Sequence, residues 1–297
     1  MRADTHMKAA AALCAAAMTA SLSACGTSVE VSVPGQADGP MINIGVATDE
    51  PGVGWYHEDG YSGLGVEVAK YVARKLGYSH SQIIFHPMTM GGRDAMLEDG
   101  TIDFAMTTYA YDGGKDARAF TKELASRDGD VRYSGPYLIT NDELLVRADE
   151  RSTIRGAGDV RGRTVCVVKD DDVRTQLERR VADVRFREEN NFQKCVSALL
   201  AGESDAVAGS RPVLAGLRGE AGDEYVDIVD DPFGERAYGV AINGGGKELI
   251  RQINMSLQDM IDDGTWDTII DGAEQSLGIR TDLKLNPPQI VNGRDEG

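Results

Sequence analysis

From residue 41 onward, short runs of apolar, often β-branched residues alternate with stretches whose apolar positions recur every three or four residues. Residues 41–47 (MINIGVA) predict a strand, 64–76 (LGVEVAKYVARKL) an amphipathic helix stopped by Gly77, and 81–86 (SQIIFH) a second strand. Residues 91–98 predict a helix and 101–106 (TIDFAM) a third strand. This βαβαβ order favours a parallel sheet covered by helices. A second series follows, with strands at 163–168, 184–187 and 205–208 and helices at 173–181, 192–200 and 211–217. Two similar α/β units therefore stand in tandem.

Two further extended apolar runs, 143–147 (ELLVR) and 237–242 (AYGVAI), lie between and after these units. A long amphipathic helix at 247–261 and a short one at 266–270 come last. About 255 residues suit two lobes better than one core. The economical arrangement has the chain leave lobe one at the first run, build lobe two, and return at the second. Lobe one then comprises 41–142 and 243–280, lobe two comprises 143–242 with the hinge strands, and 281–297 is a polar tail. A cleft on a double hinge suits capture of a small molecule by closure.

The first residues add a location. Lys8 followed by the alanine-rich stretch 9–20 has the charged and apolar regions of an export signal and is too short to span a bilayer. Leu22-Ser23-Ala24-Cys25 resembles the lipobox of bacterial lipoproteins, in which cleavage leaves Cys25 as a lipid-bearing N-terminus; an ordinary cleavage site near Ala24 is the competing reading. Residues 25–40 are small, polar and punctuated by Pro and Gly, as a flexible tether would be. Removal of residues 1–24 takes Arg2, Lys8 and Asp4 from a chain with 31 basic and 48 acidic residues, leaving a net charge of −18. That charge repels nucleic acid and anionic headgroups, so membrane attachment would come from the lipid alone. Cys166 and Cys195 remain, and in an oxidising compartment they most simply pair, with a metal pair or a reactive thiol as the other readings. No His or second Cys stands at ligand spacing from either. Met88, Met90, Met96 and Met106 are irregularly spaced and read as filler rather than metal ligands. Nothing calls for a cofactor.

The motifs along the body, taken in order, resemble one family. They are Ile44-Gly45-Val46, Gly63-Leu64-Gly65-Val66-Glu67-Val68, Leu97-Glu98-Asp99-Gly100-Thr101-Ile102-Asp103-Phe104, Ser134-Gly135-Pro136-Tyr137, Val160-Arg161-Gly162-Arg163-Thr164-Val165, the run 198–207 (ALLAGESDAV), and Asp263-Gly264-Thr265-Trp266. In this order they resemble the family 3 extracellular solute-binding proteins of amino-acid ABC transporters, nearest to the glutamate-binding lipoproteins of Gram-positive bacteria. The resemblance implies an α/β, two-lobed type II periplasmic-binding-protein fold with a two-strand hinge, a monomer that hands its solute to a membrane permease, and a bridge between Cys166 and Cys195. It also gives the lipid at Cys25 a purpose, since a bacterium without an outer membrane must tether its solute catcher.

The same resemblance assigns site residues and shows departures. An α-amino acid needs a cationic fork and donors for its carboxylate and acceptors for its ammonium, because neither charge is buried unpaired. The family's threonine and, a few residues later, its arginine map to the stretch holding Thr108 and Tyr109, with Lys115 or, given an insertion, Arg118 as the cation; a solvated loop charge is the alternative for either. The lobe-two Gly-Ser/Thr turn is replaced by Lys169-Asp170-Asp171-Asp172, whose three acidic groups would repel a carboxylate or instead cap the next helix, with Asp170 or Asp172 as a replacement partner for the solute ammonium. Counting to the ammonium-binding aspartate lands on Ser210, with Arg211 beside it. Trp55 and Tyr56 fall where an aromatic lines the ligand, and Arg93 matches an arginine of the acidic-amino-acid subgroup; surface positions are the alternatives.

Three functions follow: a transport-linked binder of a small polar solute such as glutamate or glutamine, a sensing or orphan lipoprotein with an altered site, and an enzyme like the dehydratase this fold also hosts. The last needs a positioned acid and base. His57, His80 and His86 show no catalytic pairing, so a non-enzyme is expected.

Overall fold

The computed structural model describes residue 37 and residues 39–58, 60–111 and 131–290. Eleven strands occur among them: β1 (Ile42–Val46), β2 (Asp49–Glu50), β3 (Gly54–His57), β4 (Gly60–Ser62), β5 (Ile83–Pro87), β6 (Phe104–Tyr111), β7 (Val131–Arg147), β8 (Thr164–Val168), β9 (Arg185–Glu189), β10 (Ala206–Ser210) and β11 (Val226–Asn243). Eight form one hydrogen-bonded sheet in the order β5-β1-β6-β11-β7-β10-β8-β9.

The sheet's order explains the two units read in the sequence. β5-β1-β6 is a parallel triplet with its first strand in the middle, and β10-β8-β9 repeats that plan. Between them β11 and β7 run antiparallel to each other, β11 pairing with β6 and β7 with β10. These two strands are the crossings, and they pass from one triplet to the other at Asn141–Asp142 and Gly234–Glu235. The runs 143–147 and 237–242 are thus the end pieces of strands 17 and 18 residues long. The rest of β7 was hidden by Gly135-Pro136, ordinarily a turn signal. Here residues 135–137 bulge opposite the single Gly239, whose Cβ would stand 2.7 Å from the Ser134 carbonyl oxygen.

Helix α1 (Leu64–Lys75) turns Leu64, Val66, Val68, Ala69, Tyr71, Val72 and Ala73 onto the first triplet. It starts at Gly63, φ 114°, where a Cβ would lie 2.5 Å from the Val53 carbonyl oxygen. Helices α2 (Arg93–Glu98), α3 (Val173–Arg180), α4 (Phe192–Leu200) and α5 (Arg211–Ala221) follow in the predicted places, then α6 (Lys247–Asp262) and α7 (Thr265–Leu277). The last is longer than expected because Trp266, Ile270 and Leu277 all face inward. Its Trp266 Nε1–H donates to the Tyr137 carbonyl at 2.7 Å, fixing α7 on β7.

Cys166 on β8 and Cys195 on α4 are bonded, with Cα atoms 5.4 Å apart and both residues buried. A bridge across about 30 residues contributes roughly 3 to 4 kcal/mol by restricting the unfolded chain. Within the expected polar tail, Asn286 exchanges two hydrogen bonds with the Ile139 backbone, each 2.8 Å. No helix among the described residues is long and apolar enough to cross a membrane. Residues 1–36 with Cys25, and Lys115 and Arg118, lie outside the described residues.

Candidate functional site: a cavity where the two halves meet

Parallel strands present their following loops on one edge, and ligands in open α/β sheets sit outside those carboxyl ends. Both triplets direct that edge towards the crossing strands, and a cavity of about 210 Å³ lies there. The first half contributes Val46–Glu50 after β1, Gly65 and Val66 at the start of α1, Met88–Met90 after β5, and Met106–Thr108 on β6. The second half contributes Val168, Asp171 and Asn190–Phe192, and the crossing strands add Tyr137 and Tyr238. Met88, Met90 and Met106 are therefore cavity wall as well as filler.

The lining is acidic. Asp49, Glu50 and Asp171 reach it, and no lysine, arginine or histidine does among the described residues. Asp49 Oδ2 accepts the Phe192 N–H at 2.9 Å, and burial outweighs that bond and raises its carboxyl above the usual range. Glu50 is half-buried in the cavity wall. Burial first, then the neighbouring Asp49 and Asp171 charges, push its carboxyl up to about 8 against the opposing pull of Arg236. Asp171 is raised for the same leading reason, burial, with Asp172 and Asp142 adding to it.

Behind the lining, at the crossing itself, sits Arg236 on β11, 1% exposed. Its Nε lies 2.6 Å from Asp142 Oδ1, and the guanidinium lies 2.9 Å from Asp171 and 3.0 Å from Asp172. It also donates to Thr108 Oγ1 at 3.1 Å. A single cation so joins the hinge (Asp142), the second half (Asp171, Asp172) and the first half (Thr108). Asp172 adds a second tie by accepting the Ala110 N–H of β6.

Of the residues singled out from the sequence, Thr108 lines the cavity. Asp172 stands one residue from the wall and is spent on Arg236 and Ala110, while of the three aspartates expected at the helix start it is Asp171 whose Oδ1 accepts the Val173 N–H, at 2.9 Å. Asp170, with φ 64°, reaches over Gly91 of the first half, whose Cβ would meet its Oδ2 at 2.3 Å. Arg93 sits outside the wall, donating to Thr107 Oγ1 and the Tyr133 hydroxyl, each at 2.9 Å, and so braces a lining threonine. Ser210 shares a hydrogen bond with the Tyr238 hydroxyl, behind a lining ring. Arg211 is turned to Glu143 at 2.7 Å and Asp230 at 3.0 Å.

The aromatic residues expected in the cavity are elsewhere. Trp55 stacks with His57 at 6.0 Å on the small three-stranded sheet β2-β3-β4, and Tyr56 beside it is 46% exposed. Tyr109 is packed on Tyr133, Ile139 and Ala237, because alternation along β6 sends it to the face opposite Thr108. Sequence reasoning missed Asp49, Glu50 and Arg236. An arginine directly before the apolar run 237–242 was the available signal for the last.

Comparison with known proteins agrees with this architecture. The bacterial extracellular solute-binding proteins, family 3, match residues 42–272. The glutamate-binding protein GluB of Corynebacterium glutamicum is 28% identical over 239 residues, 77% of each chain. The ABC transporter glutamine-binding protein GlnH of Bacillus subtilis is 26% identical over 235 residues, 78% of this chain and 80% of the relative. Among solved structures, an ancestral arginine-binding protein bound to glutamine superposes with a TM-score of 0.66 at 26% identity, covering 79% of this chain and 97% of that one. These relatives are solute-binding proteins and not enzymes. A two-lobed α/β body with crossing strands and a cavity at the crossing, matched over residues 42–272, belongs to the bacterial extracellular solute-binding proteins of family 3.

Proposed function

We propose that the protein is a lipid-anchored extracellular binding protein that closes its two lobes over a small amino acid and delivers it to an ABC transporter permease. The observation that carries this reading is the cavity at the strand crossing, lined from both halves and from β7 and β11. Its relatives, which include glutamate-, glutamine- and arginine-binding proteins, support an amino acid as the solute. The wall carries acidic groups, and among the described residues no lysine, arginine or histidine to meet a second carboxylate on the solute, which favours glutamine over glutamate. Cys25 would carry the lipid, and the lobes divide at 41–142 with 243–280 against 143–242. Thermal denaturation of the purified protein against a panel of amino acids tests this: a solute at 100 times its Kd raises stability by about 2.7 kcal/mol. A flat response across the panel overturns the reading and favours the sensing lipoprotein.

Closure has its own handle. Gly216 on α5 sits so close to the corner after β2 that a Cβ would lie 1.8 Å from the Pro51 carbonyl oxygen. Gly216→Ala is expected to hold the corner off the second lobe and weaken solute affinity about tenfold or more by depleting the closed form. Calorimetric titration checks it; unchanged affinity would show that this contact has no part in closure.

A further inference from the structure

We infer that the Asp172 carboxylate is a built-in competitor of the solute: it occupies a carboxylate seat on Arg236 and β6, and the α-carboxylate of an amino acid displaces it there. This rests on the reading of the protein as an amino-acid binder and names a control on that same site.

Three groups make the seat. Arg236 stands opposite Ala110 where β11 pairs with β6, and Thr108 Oγ1 accepts from Arg236 Nη1 at 3.1 Å, which leaves its own hydrogen to donate. With the Ala110 N–H they offer a cation, a hydroxyl and a backbone amide, the set of donors that a carboxylate needs when it leaves water. The seat adjoins the cavity, since Thr108 on one side of it and Asp171 on the other both line the wall. Asp172 fills it from the second half of the molecule. Its Oδ2 accepts the Ala110 N–H, and its Oδ1 lies 3.0 Å from Arg236 Nη1.

Of the three aspartates on Arg236, Asp172 is the one placed to leave. Side-chain exposure is 0% for Asp142 and 9% for Asp171 but 39% for Asp172. Asp142 takes Nε and Nη2 as a fork and Asp171 takes Nη2, so the end that Asp172 shares with Thr108 is Nη1. The Asp172 Oδ1 contact is close but not aligned as a hydrogen bond, and a solute carboxylate free to turn can bond there in line. Asp172 also has a place to go. It is the N-cap residue of α3, yet its side chain makes no bond to the helix, and Asp171 takes the Val173 N–H instead. An aspartate at a helix start ordinarily accepts an N–H of the first turn and is favoured there by the helix dipole, so turning back to α3 offsets part of what Asp172 loses. One carboxylate replaces another, and the charge around Arg236 is unchanged.

A competitor that leaves the seat free about one-tenth of the time weakens solute binding about tenfold. The test is calorimetric titration of the wild-type protein, Asp172→Ala and Asp172→Ser with glutamine, glutamate and arginine, each as the free acid and as its α-carboxamide. Serine keeps a helix-capping group on a shorter side chain, and melting curves check that both variants are folded. For the free acid that binds, both variants are expected to gain about tenfold or more, a gain from undetectable binding included, while the α-carboxamide stays within about threefold of its wild-type affinity. Unchanged or weaker binding of the free acid by a folded variant would make Asp172 a tie between the halves and no competitor; that outcome, or an equal gain by acid and amide, overturns the inference and leaves the binding-protein reading standing. Binding of no free acid by the wild-type protein or by either folded variant overturns that reading and the inference with it.

Discussion

Arg236→Met is expected to lower the free energy of unfolding by about 3 to 5 kcal/mol, the cost of leaving a buried charge without its partner. The side chain is 1% exposed and Asp142, its nearest partner, is fully buried. Removing the guanidinium strands Asp142 and Asp171 in a site already rich in negative charge, which raises Asp171 further. Asn at position 142 in the same background removes one stranded charge, so Arg236→Met with Asp142→Asn should lose less than the two single variants together. Chemical denaturation reads both quantities. A loss below about 1 kcal/mol, or strict additivity, would mean that the crossing is held by its strand pairing and not by this cation.

The second large effect is a stability that falls as pH rises. Glu50 in the folded protein holds its proton up to about 8, against 4.5 ordinarily. Between those values the folded form binds more protons than the unfolded form, so stability is greatest below 4.5 and is lost as pH climbs through 8. The whole swing is bounded by roughly 5 kcal/mol. Asp171, raised from 3.8 to about 6, acts with the same sign at the lower end, as do Asp49 and Glu143, both raised chiefly by burial. His86, lowered by burial, has the opposite sign near its ordinary 6.5, where the unfolded form takes the extra proton. Asp263, held down to about 2 first by Thr265 and Tyr71, titrates below this window. Solute-free protein should therefore lose melting temperature from pH 6 to 8, and Glu50→Gln should flatten that decline. A profile that rises over this interval, or one that Glu50→Gln leaves unchanged, would contradict the assignment.

How far the residues announced this arrangement depended on the range of the interactions concerned. The apolar periods of 64–76 and 192–200 placed helices that the fold keeps, because each period is set by one buried face. Cys166 and Cys195 were legible as the two cysteines left in an oxidising compartment, and the fold brings them together from a strand and the helix three elements on. The site was less legible. Glu50 lies in Thr48-Asp49-Glu50-Pro51-Gly52, a polar stretch with every mark of an exposed turn, and only the approach of Asp171 and Phe192 from the other half encloses it. Arg236 takes partners from residues 108, 142, 171 and 172, and no local pattern connects them. Ser210 and Arg211 adjoin the crossing yet are turned to Tyr238 and Glu143, a choice made by side-chain geometry at a strand end.

A crystal structure of the protein with its tightest-binding amino acid tests the central claim most directly. The account predicts solute density in the cavity between the two halves, in contact with Thr108, with Arg236 still bound to Asp142. Solute lodged away from the strand crossing would contradict it.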